Sequence, residues 1–146
     1  MRNILMTTTC LLITFSIFMG CNKEVFDTVI FDRSFVIENG RIEFQSNLYR
    51  KCNTASVRIE LGNDFNVEPP WSFVQLDDGR KSRISVVLVS EDGNMFRSKI
   101  IGRAGGMVDV RFDPQIPKKI AIKKVIVISD IPLSCKRIIW HDFNAN

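Results

Sequence analysis

Two short stretches limit what this chain can fold into. Ser56-Val57-Arg58-Ile59-Glu60-Leu61 alternates strictly between polar and apolar residues, and Met107-Val108-Asp109-Val110-Arg111-Phe112 does the same. Successive side chains of a strand point to opposite faces, so each stretch reads as a strand with one face on a core and one in water. Ile84-Ser85-Val86-Val87-Leu88-Val89 and Val125-Ile126-Val127-Ile128 are apolar on both faces. They read as central strands, rich in the β-branched residues that suit a packed pleated surface. Between Cys21 and Asn146 no stretch carries a convincing period of 3.6 residues.

Turn chemistry separates these segments. Asn39-Gly40 stands between Phe35-Val36-Ile37 and Ile42-Glu43-Phe44 and predicts a tight hairpin, since both residues tolerate positive φ. Asp77-Asp78-Gly79, Asp92-Gly93-Asn94 and Gly105-Gly106 give the same kind of signal. Pro69-Pro70 and the Pro114 to Pro117 stretch mark loops, because proline cannot donate to a sheet ladder. The spacing predicts about eight or nine strands in one antiparallel β-sandwich, jelly-roll-like in plan. A chain of 146 residues suffices for one such domain and not two.

The N-terminus follows different rules. Ile4 to Gly20 carry no charge, and Arg2 stands just before them. A basic start, an apolar stretch and small residues before a cut point make a secretory signal; a retained N-terminal anchor is the alternative. The stretch ends Phe18-Met19-Gly20-Cys21, which resembles the lipobox of bacterial lipoproteins. Gly20 and Cys21 match that pattern, and Phe18 departs from its usual aliphatic residue. The resemblance implies cleavage before Cys21, a diacylglycerol on its thiol, and a membrane anchor. The domains are then a signal peptide over 1–20 and a β-sandwich over 21–146. In the Gram-negative form of the family, Asp after the cysteine retains the protein in the inner membrane. Asn22 stands there, which points to the outer membrane facing the periplasm, with the inner membrane as the alternative. Three residues separate Cys21 from Val25 and reach about 10 Å when extended, so the domain is expected close to the bilayer.

Removing the signal takes only Arg2 from the charge, which falls from +4 to +3. That is far from the charge of a nucleic-acid binder, and none is expected as a partner. Cys10 leaves with the signal and Cys21 is reserved for lipid. Cys52 and Cys135 remain, and an oxidising compartment favours a disulfide between them, worth roughly 4–5 kcal/mol. Two separate buried thiols are the alternative.

Candidate chemistry is sparse. His141 is the single histidine. Asp142 beside it cannot orient it, because adjacent strand residues face opposite ways. No hydrolase or metalloprotease motif occurs, so neither catalytic residues, a metal nor a cofactor is expected. The acidic turns Asp77, Asp78, Glu91 and Asp92 could offer oxygens to calcium, but plain turns explain them. Gly102 to Gly106 lacks the lysine and following helix of a phosphate loop and reads as a hairpin connection.

Trp71 and Trp140 are the candidate ligand-binding residues, since exposed aromatic faces stack on sugar rings and anchor protein interfaces; core positions are the alternative. Lys118-Lys119 with Lys123-Lys124, and Arg80-Lys81-Ser82-Arg83, could orient the domain on an anionic bilayer or guard strand edges. In strand count and length the 21–146 domain resembles galactose-binding-like jelly rolls. Together these features predict a membrane-anchored, non-enzymatic binding or accessory module with an envelope protein or glycan as partner. A carbohydrate-binding lipoprotein is the alternative.

Overall fold

A computed structural model describes residues 24–145. Cys10, Cys21 and the lipobox lie outside the described residues. Among those described there are twelve strands and no helix. In chain order they are β1 (Val25–Phe31), β2 (Phe35–Ile37), β3 (Arg41–Leu48), β4 (Thr54–Leu61), β5 (Phe65–Glu68) and β6 (Phe73–Leu76). Then follow β7 (Lys81–Ser90), β8 (Met95–Arg97), β9 (Ile100–Ala104), β10 (Met107–Arg111), β11 (Ile122–Ser129) and β12 (Leu133–Phe143).

The strands form two antiparallel sheets. The first runs β1-β12-β4-β10-β9, with β2 also pairing β12; the second runs β3-β11-β7-β6-β5, with β8 also pairing β7. Short strands account for the excess over the expected eight or nine. β1 meets β12 over Phe143 to Ile138, and β2 meets the same side of β12 over Cys135 to Leu133. They are two halves of one interrupted edge strand. β6 and β8 likewise divide one side of β7. Set aside the β5–β6 hairpin and the added edge strand β9. The sheets then read β1/β2-β12-β4-β10 and β3-β11-β7-β8, the double Greek-key order of a jelly roll.

The core lies between the sheets. Val57 and Ile59 of β4, Val108 and Val110 of β10, and Ile138 and Trp140 of β12 face Phe44 of β3, Val86 and Leu88 of β7, and Val125 and Val127 of β11. Except for Phe44, Ile138 and Trp140, these are apolar positions of the alternating and doubly apolar stretches. Phe31, Phe35 and Phe44 stack at one side, with ring centroids 5.0 to 5.5 Å apart.

Two expectations need correction. Asn39-Gly40 makes a turn, with Gly40 at φ 82°, a region open to glycine at little cost. It is not a hairpin: β2 and β3 belong to different sheets, and the Gly40 carbonyl accepts the Ser129 N–H at 2.9 Å. The turn steers the chain across the sandwich. Turn residues report a reversal, but not whether the strands they join will pair.

The second correction concerns the disulfide. Cys52 and Cys135 are both free and buried. The Cys52 N–H donates to the Asp142 carboxylate at 2.8 Å, near the end of β12, whereas Cys135 is near its start. Seven residues of extended strand separate those levels by roughly 20 Å, and a disulfide needs Cα atoms within about 7 Å. Burial pushes the Cys135 thiol up to about 12. Burial, followed by the Asp142 charge beside it, also raises Cys52. Both sulfurs act as small apolar groups.

Candidate functional site

The two tryptophans go to different places. Trp140 pairs with Val57 and Thr28 inside the first sheet and is only 2% exposed. It cannot serve as a stacking platform: a large apolar ring on a central strand gains most by burial. Trp71 lies in the β5–β6 connection at φ 62°, with its N–H on the Glu68 carbonyl and its carbonyl accepting the Ile101 N–H, both at 2.9 Å. Its side chain is half-exposed. The structure does not bring the two together.

The acidic turns are internally satisfied. Asp78 accepts the backbone N–H and the Nε of Arg80 at 3.0 and 2.8 Å, and Asp92 accepts from Ser90 and Asn94. β7 runs between the two turns, so roughly 30 Å separates them. No group of three His, Cys, Asp or Glu among the described residues could hold a metal. The basic segments are also split. Lys118 and Lys119 precede β11 at the end of the sandwich where β1 begins, and Arg80 to Arg83 open β7 at the other end.

What the strands do assemble is the outer face of the first sheet. Pairing puts Asp27 of β1, His141 of β12, Ser56 of β4 and Arg111 of β10 in one row across that face. The next row holds Val29, Ile139, Arg58, Asp109 and Gly102. The even spacing of the antiparallel register places them on the side away from the core.

At the centre is a carboxylate that should not be buried on an outer face. Asp109 is 1% exposed. Its Oδ1 accepts the Ser56 hydroxyl at 2.6 Å and Arg58 Nε at 3.3 Å, and its Oδ2 accepts Arg111 Nε at 2.8 Å. Burial pushes its carboxyl up, but the Ser56 and Arg111 hydrogen bonds and the two arginine charges outweigh burial and hold it below the ordinary 3.8. Beside this group, His141 Nδ1 meets the Asp27 carboxylate at 2.6 Å, and the imidazole lies against Phe143 with centroids 4.6 Å apart.

His141 therefore has a carboxylate partner, 114 positions away in sequence. Asp142 faces inward as expected and accepts the N–H groups of Lys51 and Cys52. Ser56 is opposite His141 in register, but its hydroxyl is committed to Asp109 and is 1% exposed. Aspartate, histidine and serine share a row without the histidine–serine hydrogen bond that would activate a nucleophile.

Around this polar inlay four aliphatic side chains are exposed. Val25 and Val29 are 51% and 52% exposed, Val36 49% and Ile100 43%, and all four point outward from the first sheet. The alternating patterns of β4 and β10 announced an outward polar set. They gave no sign that it would be enclosed, or that β1, β2 and β9 would frame it with aliphatic side chains.

No protein-family model matches the chain, and a search of curated proteins returned no match.

Proposed function

We propose that this protein is a lipid-anchored, non-enzymatic accessory domain of a bacterial envelope that engages a protein partner through the outer face of its first sheet. One observation carries the reading of the face: Val25, Val29, Val36 and Ile100 are exposed around a buried charged inlay. Apolar side chains left exposed beside arginine on one face are the materials of a protein interface, where arginine is enriched. The anchor rests on the Phe18-Met19-Gly20-Cys21 signal. Supporting the carbohydrate alternative, Trp71 remains half-exposed; Trp140 does not contribute a ring face.

The face is tested by placing a photo-crosslinking residue at Val29 or Ile100, and at Gln45 on the second sheet, in cells. A discrete adduct from Val29 and Ile100 but not from Gln45 is expected. Adducts from Gln45 alone, or from none of the three, count against it. The anchor is tested separately: labelled palmitate should enter the wild type and be lost in Cys21→Ser. Incorporation that survives the substitution removes the anchor.

A further inference from the structure

Arg58 and Arg111 are diagonal neighbours on adjacent strands of this face, because Ser56 pairs with Arg111 and Arg58 with Asp109. Each donates its Nε to the same buried carboxylate. The Nε proton is the inner one of a guanidinium. With it spent on Asp109, the Nη protons of each guanidinium remain, and no acceptor among the described residues takes them. The two side chains are 26% and 55% exposed. Two forks are thus fixed side by side by a charge that water barely reaches.

Gly102 stands opposite Asp109 on β9 and presents no side chain, so the Arg111 guanidinium lies over it; a Cβ there would sit in contact, 3.9 Å from Arg111 Nη2. Ile139 pairs with Arg58, and Ile100 pairs with Arg111. With Asp109 ionised, the two arginines and the aspartate sum to +1, which matches a monoanion. Fork-shaped donors suit a planar carboxylate, which can take a bidentate pair from one guanidinium or bridge two. The flanking side chains are aliphatic and suit a peptide, whereas sugar recognition calls for an open aromatic ring; Phe143 on this face is occupied by His141.

We infer that Arg58 and Arg111, pre-positioned by Asp109, form a clamp for the carboxylate of an Asp or Glu side chain on an extended segment of the partner protein. This rests on the reading of the face as a partner surface and specifies the chemistry it recognises.

The clamp is tested with full-length protein in neutral detergent micelles, labelled with 15N and followed at the arginine Nε–H resonances. The probe is the peptide acetyl-Val-Glu-Val-amide, and the control replaces Glu by Gln. Saturable shifts at Arg58 and Arg111 are expected with the Glu peptide, with at least tenfold weaker binding of the Gln peptide. Arg111→Gln should weaken the Glu peptide about tenfold, and Arg111→Lys should restore only part of it, since a point charge cannot replace the fork. Equal shifts with both peptides, or none, overturn the clamp without recourse to any variant. Inorganic phosphate binding as tightly as the Glu peptide overturns its carboxylate specificity. Failure here and failure of the face are separable. Adducts at Val29 that persist undiminished in Arg111→Gln remove the clamp and keep the face. Absence of every adduct with both arginines in place removes the face, whatever the peptides do.

Discussion

The two outer faces of this sandwich handle the same materials in opposite ways. On the second sheet the apolar residues Val87 and Ile126 point outward and yet are 3% and 7% exposed. Long charged side chains surround them: Glu43 pairs with both Arg41 and Lys124 at the β3–β11 boundary, and Arg97 of β8 stands opposite Val87. Such stems cover apolar surface while their charged heads stay in water. Lys124, followed by Arg41, holds the Glu43 carboxyl below its ordinary value. At the centre of the first sheet the arrangement is reversed. There one carboxylate, Asp109, is enclosed, while Val25, Val29, Val36 and Ile100 are left outside, along with the Arg137–Glu60 pair, which stays in water. Met95 of β8 stays 59% exposed at the margin of the second face, so the contrast lies at the sheet centres: ions cover Val87 and Ile126 on one, and an ion is itself covered on the other.

The largest expected difference between the faces is in stability. Asp109→Ala strands the Ser56 hydroxyl and two guanidinium groups, and should cost roughly 3 kcal/mol in denaturant unfolding. Glu43→Ala on the other face should shift the midpoint little, because its partners are already in water. A harmless Asp109→Ala would break the comparison. Truncating apolar groups sharpens it further. Val87→Ala should cost about 1–2 kcal/mol, having lost buried methyl groups. Val29→Ala should stay within about 0.5 kcal/mol while reducing partner adducts.

A smaller effect should appear with pH. The folded-state Asp109 carboxyl is held below 3.8, so its contribution is present above that value. It is lost as pH falls below 3.8 through the depressed folded value. Asp109→Asn should therefore flatten the acid limb of the stability curve, and an identical acid limb would contradict the assigned pairing. The smallest change is expected from Asp27→Asn. Asp27 is half-exposed, so losing its charge beside His141 should alter stability by about 1 kcal/mol or less.

The contrast also explains what could be read before the structure. Strands with strong alternation or double apolarity were legible: β4, β7, β10 and β11 fall where Ser56–Leu61, Ile84–Val89, Met107–Phe112 and Val125–Ile128 placed them. Their patterns reflect local periodicity and burial. Pairing was not legible, because it depends on which distant strand lies alongside. That is why Asn39-Gly40 suggested a hairpin, and why Cys52 and Cys135 suggested a bridge although opposite ends of β12 hold them apart. The site was legible only in part. His141 is legible as the single histidine, and strand geometry alone turns Asp142 to the other face. Asp27, Ser56, Asp109 and the two arginines come from three strands, and no spacing in sequence announces that they share a face.

The central claim is that the outer face of the first sheet is covered in the cell and that of the second sheet is not. Single cysteines at Val29 or Val36, and at Gln45, can be labelled with a membrane-impermeant maleimide in spheroplasts and in purified protein. Cys52 and Cys135 should stay silent, being buried with thiol pKa values pushed up. Protection of Val29→Cys and Val36→Cys in spheroplasts, with full reactivity after purification and an unchanged Gln45→Cys, is the predicted result. Equal reactivity of all three positions in both settings would contradict it.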